Sequence, residues 1–343
     1  MVLLDVNELK THFRTERGLV QAVDGVSFTL EEGKTLGVVG ESGSGKSVLS
    51  RSIMNLLPKR GVERGGTVMF DGVETTALSW KESRKMYGTG MAMIFQDPMT
   101  SLNPVVKIGR QITESLKLHF EMNSDFANET AEELLRSVGI PEPKRRLSEY
   151  PHQLSGGMRQ RVVIAIALAC GPKLLFADEP TTALDVTVQK QILNLLKRQQ
   201  AERQMSVILV THDLGVVAGR TDEIMVMYGG QAVERAKTDQ LFANMRHPYT
   251  EALLNSIPKL RDPSHTRLMS IEGRPPRLID PTPGCRFAPR CPYATAQCHN
   301  EMPPLVEDAQ DPGHQYRCWH PVNISSSNIS SSNPALVGAV GGN

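Results

Sequence analysis

The sequence predicts an α/β fold built around a largely parallel sheet. Short apolar runs with the length of buried strands alternate with segments of helical spacing. A glycine-rich loop follows the first of these runs and opens the first of these helices. The 343 residues are 40% apolar and 22% charged, which is typical of a globular chain with two compact units, or with one large domain and an appendage.

The predicted strands and helices alternate as far as residue 211. Strands are predicted at 36–39, 67–70, 91–95, 174–177 and 207–211, and helices at 46–57, 158–170 and 186–203. Between 104 and 155 the pattern is helical and more polar. We therefore expect a helical insertion between the two halves of a mostly parallel sheet.

The chain is predicted to have a main domain, a small module and a tail. The main domain covers 1–262. After it, prolines cluster and the apolar periodicity fades, which predicts a loop-rich module at 263–322. The segment 323–343 contains Asn-Ile-Ser-Ser-Ser twice and predicts a disordered, low-complexity tail.

Charge and hydropathy argue against several classes of protein. The net charge of +1 gives no reason to expect a nucleic-acid partner. No apolar run reaches the roughly 18 residues that a membrane helix needs. The N-terminus lacks the pattern of a signal peptide. We expect a cytosolic chain whose thiols stay reduced.

Residues 40–47, Gly-Glu-Ser-Gly-Ser-Gly-Lys-Ser, match the phosphate-binding pattern G-x-x-x-x-G-K-[ST]. Glycines let several backbone N–H groups turn toward phosphate oxygens, and the helix that follows adds its positive end. Lys46 can reach the β- and γ-phosphates, and the Ser47 hydroxyl can ligate Mg²⁺. The predicted nucleotide-binding residues of this loop are Gly40, Ser42, Gly43, Ser44, Gly45, Lys46 and Ser47.

Polar residues at three strand ends complete the predicted catalytic site. Asp178 can hold Mg²⁺ through water, and Glu179 can orient or deprotonate an attacking water. His212 can contact the γ-phosphate, and Gln96 can meet the metal or the water. Each residue alone is more simply a solvated or structural strand end, and it is the nearby phosphate loop that favours the catalytic interpretation.

A second glycine loop, Leu154-Ser155-Gly156-Gly157, offers a serine hydroxyl and two glycine N–H groups at the start of a helix. It predicts a second anion site in the same chain. With this loop, the sequence resembles the ATP-binding subunits of ATP-binding-cassette (ABC) transporters. The motifs stand in that family's order at 40–47, Gln96, 154–157, 178–179, 183–185 and His212.

The resemblance implies a RecA-like P-loop core with an antiparallel β part and a helical subdomain at about 97–165. It also implies that two such domains pair head to tail. Each ATP then lies between the P-loop of one subunit and Ser155, Gly156 and Gly157 of the other. Phe13 is expected to stack on adenine, and Asp185 to belong to the family's D-loop with Ala183 and Leu184.

The segments 95–104, 150–153 and 247–254 resemble the dipeptide/oligopeptide importer branch. The resemblance implies an ATPase that drives peptide import from the cytoplasmic face of the membrane. Its expected partners are a second ATPase subunit, by preference a paralogue, two transmembrane permeases and an extracytoplasmic substrate-binding protein. Nickel, glutathione and opine importers are alternatives. A nucleic-acid ABC ATPase is disfavoured, since long coiled coils, C-x2-C pairs and a basic stripe are missing from the sequence.

Four cysteines crowd into the terminal module with the spacing C-x5-C-x6-C-x19-C: Cys285, Cys291, Cys298 and Cys318. Four thiolates suit zinc or an iron–sulfur cluster. The wide spacing favours the cluster, and some members of the branch carry a [4Fe–4S] cluster on matching cysteines. Zinc, with His299, His314 or His320 as a possible ligand, and unmetallated thiols remain alternatives. Cys170 is predicted to be a small core residue.

Overall fold

The computed structural model describes residues 1–182, 184–257 and 271–322, which fall into two compact units. The first unit contains Met1, Glu31–Lys34 and Ala77–Val210. The second contains Val2–Leu30, Thr35–Thr76 and the residues from Thr211 onward. The predicted tail at 323–343, the predicted boundary near 262 and Ala183 of the predicted D-loop lie outside the described residues.

The strands and helices have the following bounds. The strands are β1 Val2–Thr15, β2 Gly18–Glu31, β3 Thr35–Val39, β4 Val62–Phe70, β5 Val73–Glu74, β6 Met91–Ile94, β7 Leu174–Asp178, β8 Ser206–Thr211, β9 Glu223–Tyr228, β10 Gln231–Lys237, β11 Val306–Glu307 and β12 Gln315–Tyr316. The helices are α1 Lys46–Ile53, α2 Trp80–Met86, α3 Pro98–Ser101, α4 Ile108–Phe120, α5 Ser124–Ser137, α6 Pro143–Arg146, α7 Gly156–Leu168, α8 Val186–Arg203, α9 Leu214–Val217, α10 Thr238–Asn244, α11 Pro248–Asn255 and α12 Ala296–Asn300.

In the first unit, β6, β7 and β8 run parallel, with β7 in the middle. Met91 pairs with Leu174, and Asp178 pairs with Val210. Every residue of β7 and β8 is buried. Continuous burial of this kind is expected of parallel strands covered on both faces, and it explains why their sequences are apolar runs without alternation.

The helices of the first unit begin where the sequence supplies a cap. Asn123 caps α5 by accepting a hydrogen bond from the Phe126 N–H at 2.9 Å. Asp185 caps α8 in the same way, accepting from the Val188 N–H at 2.9 Å. Such caps satisfy backbone donors that a helix start leaves without a partner. Helix α8 therefore begins at Val186, directly after its cap Asp185.

The second unit opens with an antiparallel sheet in the order β2-β1-β4-β5. Leu4 and Val6 of β1 are buried, while Asp5 and Asn7 between them are exposed. This alternation is that of a sheet with one covered face. A register shift between Asn7 and Lys10 interrupts the pairing of β1 with β4.

The second unit also contains β3, which pairs in parallel with β9. Strands β9 and β10 form a hairpin whose turn is made by Gly229 and Gly230, with φ of 57° and 84°. Glycine adopts these left-handed conformations without a steric cost. Strand β12 pairs with β10, and β11 with β12, so the terminal module adds strands to the sheet of this unit.

The predicted alternation of strands and helices is confirmed, and most predicted elements end within a few residues of the observed ones. The predicted helix at 46–57 stops earlier, at Ile53, since Asn55 adopts a left-handed φ of 54° that a helix cannot continue. Across the described residues, no helix combines the length and the apolar character required to cross a membrane.

Candidate functional site

The P-loop, residues 40–47, connects β3 to α1 and lies in the second unit. Gly43 and Gly45 have φ of 79° and 102°, which side chains rarely permit. A Cβ on Gly45 would collide with the carbonyl oxygen of Ala22. The loop is therefore both turned and tightly packed, and glycine is required for each reason at this position.

Lys46 holds the P-loop together from inside. Its ammonium donates to the carbonyl oxygens of Gly40 at 2.7 Å and Glu41 at 2.9 Å. The side chain is buried, with a relative exposure of 4%. A positive charge is thus held at the start of α1, where the N-terminal end of the helix adds to it. The combination suits a phosphate group.

In the first unit, two predicted residues meet directly. Gln96 follows the end of β6, and Glu179 follows the end of the neighbouring parallel strand β7. The Gln96 amide donates to Glu179 Oε2 at 3.0 Å, and the Thr182 hydroxyl donates to the same oxygen at 2.8 Å. Because parallel strands end at one edge of a sheet, the spacing of these residues in the sequence becomes a contact in the fold.

Glu179 has a left-handed φ of 46°, which is unusual for a side chain other than glycine. Its N–H is fixed by the carbonyl oxygen of Val210 at 2.9 Å. Backbone strain of this kind tends to occur at functional sites. Asp178, one residue earlier, is fully buried, as expected for the last residue of β7.

His212, Phe13 and the P-loop all belong to the second unit. His212 is exposed and directly follows the end of β8. Phe13 is half-buried on β1, opposite Val62 of β4. The ring of the neighbouring His12 is hydrogen-bonded through Nε2 to Asp24 Oδ1 at 3.2 Å. Of these two aromatic side chains, Phe13 is the one outside this hydrogen bond.

The signature loop, residues 154–157, opens α7 in the first unit. The Ser155 hydroxyl oxygen accepts from the Met158 N–H at 3.3 Å and caps the helix. A Cβ on Gly157 would lie 2.9 Å from Val188 Cγ1, so glycine allows α7 to approach α8 closely. Ser155 and Gly156 are exposed. The loop presents a helix start to the outside, which is the arrangement of an anion site.

The four cysteines of the terminal module line one cavity. Cys285, Cys291, Cys298 and Cys318 share its wall with Phe287, Trp319 and His247, among others. The backbone holds two of them together, since the Cys285 N–H donates to the Cys298 carbonyl at 2.8 Å. Within the described residues, no group of three or more His, Cys, Asp or Glu side chains is placed to hold a metal ion.

Burial is the main influence on the thiols of this cavity. It raises the pKa of Cys285 and Cys291, and it raises the pKa of Cys318 to about 12, with repulsion from the neighbouring thiolates adding to each shift. These three thiols are therefore protonated at neutral pH unless a positive group compensates. Cys170 is buried just after the end of α7, and burial also raises the pKa of its thiol.

His247 is a buried donor at the same cavity. Burial lowers its pKa to about 4. Its Nδ1 accepts from the Tyr249 N–H at 3.0 Å, which places the proton on Nε2. A backbone hydrogen bond with Arg317 raises the pKa of His247, against the larger effect of burial.

The sequence analysis missed residues that hold the site in place. Thr182 contacts Glu179, Tyr249 contacts the P-loop backbone, and Arg290 contacts Glu41 within the P-loop. Glu41 stands at a variable position of the phosphate-binding pattern, and Arg290 lies between two cysteines. In the sequence, the only sign of the contact between Arg290 and Glu41 was a charged residue in the P-loop and another in the cysteine segment. Both segments had already been assigned another role.

Two family profiles match the chain. The ABC transporter profile matches residues 23–182. The profile of the oligopeptide/dipeptide transporter C-terminal region matches residues 233–298, which include His247, Arg290 and three of the four cysteines.

Individual proteins are similar over most of the chain. The oligopeptide transport ATP-binding protein OppD of Bacillus subtilis is 49% identical, over 93% of this chain and 89% of its own length. The dipeptide transport ATP-binding protein DppD of Escherichia coli is 48% identical, over 94% and 98%. The ATP-binding cassette MJ0796, solved as a dimer in a post-hydrolysis state with ADP and Pi, has a TM-score of 0.62 and 28% identity, and the match covers 69% of this chain and 99% of that chain.

Proposed function

The chain belongs to the ATP-binding subunits of ABC transporters, in the oligopeptide/dipeptide branch, and from this premise we propose that it powers the import of peptides. As an ATPase of this family it converts ATP and water to ADP and phosphate and couples this reaction to transport. The observation that carries the assignment to the peptide branch is the matched C-terminal region, which follows the ABC transporter region in one chain. Nickel, glutathione and opines remain alternative cargoes of the same engine.

The P-loop binds the phosphates of ATP in this proposal. Its backbone turns at Gly43 and Gly45, and the buried ammonium of Lys46 sits at the positive end of α1. A triphosphate needs this combination of N–H donors and positive charge. Phe13 contributes the aromatic face for adenine, and His212 senses the γ-phosphate.

Glu179 is the general base in this proposal. The hydrogen bonds from Gln96 and Thr182 fix its Oε2, so the carboxylate is oriented before a water molecule arrives. Ser47, Gln96 and Asp178 would hold Mg²⁺, since all three offer the oxygen atoms that this ion prefers. The ion would neutralise charge that develops on the phosphoryl oxygens.

Two ATPase subunits work together in this proposal. The signature loop of each subunit, with Ser155, Gly156 and Gly157, faces the ATP held on the P-loop of the other. Two observations support it: the loop is exposed, and the similar cassette MJ0796 was solved as a dimer. Asp185 would belong to the same subunit contact. The second subunit is by preference a paralogue.

The remaining partners follow from the peptide-importer assignment. Two transmembrane permeases would carry the peptide, and an extracytoplasmic binding protein would deliver it. The chain would attach to the cytoplasmic face of the membrane through the permeases. For its domains we propose an ATPase domain at 1–262 with a helical subdomain at about 97–165, followed by the terminal module at 263–322 and the low-complexity tail at 323–343.

We propose a [4Fe–4S] cluster on Cys285, Cys291, Cys298 and Cys318. The observation that supports the fit is that all four cysteines line one cavity. A cluster takes four thiolate ligands and spans more space than a single ion. Bound iron would also lower the pKa of thiols that burial otherwise keeps protonated.

The cluster can be tested by measuring iron, zinc and acid-labile sulfide in protein purified without oxygen. About four irons and four sulfides per chain are expected, and they should be lost on Cys→Ser substitution at 285, 291, 298 or 318. One zinc per chain would contradict the cluster and establish a structural zinc. The matched control is Cys170→Ser, which leaves the cavity intact and should not change the metal content.

The ATPase and its coupling can be tested in vesicles that contain the permeases. Uptake of a labelled peptide should require ATP and should stop with Glu179→Gln. Uptake of nickel, glutathione or an opine in place of peptides would refute the peptide assignment while leaving the ATPase assignment in place.

A further inference from the structure

The segment between Cys285 and Cys291 packs directly against the P-loop, within the second unit. Its last turn is a short 3-10 helix, Ala288–Arg290. The side chain of Arg290 is only 4% exposed. A buried guanidinium requires a charged partner and hydrogen-bond acceptors, and here both are found at the phosphate-binding loop.

Arg290 forms a two-point ion pair with Glu41 of the P-loop. Nη1 donates to Oε2 at 2.6 Å, and Nη2 donates to Oε1 at 3.1 Å. The guanidinium is fixed further by donation to the carbonyl oxygens of Glu272 at 2.8 Å and Ile271 at 3.1 Å, and to the Tyr228 hydroxyl at 3.2 Å. This paired geometry is specific to arginine and strongly directional.

Glu41 transmits this contact to the backbone of the P-loop. Its N–H donates to the Tyr249 hydroxyl at 2.8 Å. Its carbonyl oxygen accepts from Lys46 at 2.9 Å and from the Ser44 N–H at 3.2 Å. One residue therefore joins the buried arginine of the terminal module to the lysine of the P-loop.

Three aromatic side chains pack together next to Arg290 and Glu41. Tyr228 and Tyr249 have ring centroids 4.5 Å apart, and Phe287 lies 5.1 Å from the first and 5.3 Å from the second. All three are almost fully buried. Phe287 and Arg290 come from the same stretch between two cysteines, so this stretch supplies both the packing and the charge that support the loop.

We propose that Arg290 is a positioning residue for ATP: it neutralises Glu41 and holds the P-loop in its phosphate-binding conformation. The proposal rests on the proposed role of the P-loop in binding ATP. The carboxylate of Glu41 belongs to the loop itself, and without Arg290 it would repel a triphosphate. The terminal module is therefore a working part of the nucleotide site in addition to any group that its cysteines bind.

The test measures kcat and KM for ATP with the full-length chain assembled with its partner ATPase subunit and the permeases. Arg290→Ala is expected to raise KM about tenfold, as befits the loss of one charge-assisted pair, and to leave kcat within about twofold. Arg290→Lys keeps the charge and loses the paired geometry, so a smaller rise of about threefold is expected. This conservative variant also serves if Arg290→Ala does not fold.

A charge rescue separates this role from simple support of the fold. Adding Glu41→Gln to Arg290→Ala removes the unpaired carboxylate and is expected to bring KM back to within about threefold of the original value. A KM that stays high in the double variant would overturn the proposed neutralisation of Glu41. An unchanged KM in Arg290→Ala would overturn the proposal as a whole.

The matched control is Arg246→Ala. Arg246 is also buried and is paired with Asp308 of the terminal module at 2.5 Å, in the same unit. Its KM is expected to stay within about twofold of the original value. An equal rise in KM would show that general loosening of the module is responsible, and would overturn the specific role of Arg290. Lys46→Ala tests the P-loop itself: ATP binding unaffected by that change would refute the proposed function separately from the role of Arg290.

Discussion

The P-loop and the signature loop differ in how many side chains of the same chain support them. In the P-loop, Lys46 is buried and bonded to the carbonyl oxygens of two loop residues, while Tyr249 and Arg290 support the loop from outside. In the signature loop, Ser155 and Gly156 are exposed, and the loop is supported by its helix cap and by the close approach of Val188 to Gly157.

The difference teaches that the loops have unequal tasks. A loop that carries its own buried charge is organised to bind phosphate before any partner arrives. A loop that exposes a helix start has donors to offer but no enclosure of its own. We therefore expect the P-loop to set ATP affinity in the single chain, and the signature loop to act after two chains meet.

The largest effect is expected from Glu179→Gln, which leaves both loops intact. Loss of the general base should lower kcat by about 10²- to 10⁴-fold, while ATP binding is retained. ATP should then hold the chain and its partner ATPase subunit together, measured as a shift to dimer in sedimentation or size-exclusion experiments with ATP. Turnover at the original rate would exclude Glu179 as the base.

Lys46→Ala tests the task assigned to the P-loop, which is to set ATP affinity in the single chain. It removes the buried ammonium and leaves the carbonyl oxygens of Gly40 and Glu41 without that donor. ATP affinity of the single chain should fall about 100-fold, the order expected for a buried charge-assisted contact, and equilibrium binding of a fluorescent ATP analogue would measure it. Arg14→Ala, which removes an exposed ion pair with Glu63, is the control and should not change affinity.

Gly157→Val tests the task assigned to the signature loop, which is to act after two chains meet. The added side chain would press on Val188 and crowd the start of α7. Hydrolysis is expected to fall about tenfold, whereas ATP affinity of the single chain stays within about twofold. If ATP affinity fell as much as hydrolysis, the two loops would not have the separate tasks assigned to them.

The second unit also contains a buried ionisable pair that affects its stability. His314 is fully buried and bonded to Glu234 at 2.7 Å, with Asp311 Oδ2 at 3.4 Å from its other ring nitrogen. Burial lowers its pKa, but the hydrogen bonds and charges of Glu234 and Asp311 outweigh burial and raise it. A raised pKa in the folded state means that the pair stabilises fully below about pH 6.5 and loses this effect as pH rises through the raised value.

Replacing this histidine should therefore remove a pH dependence as well as some stability. His314→Gln is expected to lower the free energy of unfolding by about 1–3 kcal/mol at pH 6, with a smaller difference at pH 9. Denaturant unfolding at the two pH values measures both quantities. A difference that grew with pH would show that the sign of the pKa shift is wrong.

Much of the fold was readable because apolar periodicity marks buried strands directly. The strands β3, β7 and β8 are mostly apolar, and the sequence analysis located each of them within two residues. The long strand β1 was not located residue by residue, because Asp5 and Asn7 on its exposed face alternate with the buried apolar residues and break up the apolar run. Such alternation is weak in any one short window.

The site was predictable as far as its motifs extend. Gln96 and Glu179 were named from their strand ends, and the structure places them in contact. Arg290 could not be named, since its partner Glu41 lies 249 residues earlier in the chain. Contacts at such separation follow from how elements pack, and a short segment of sequence carries no information about them.

The pairing of β12 with β10 has a consequence for how this protein can be taken apart. Glu234 pairs with Tyr316, and Arg235 with Gln315, so the terminal module covers a strand that would otherwise offer its backbone to neighbouring molecules. Exposed strand edges are sites of self-association. A chain cut short before the module would uncover this edge and tend to aggregate. The terminal module and the ATPase domain therefore depend on each other. A chimera of two relatives would stay soluble only if β10 and β12 came from the same parent.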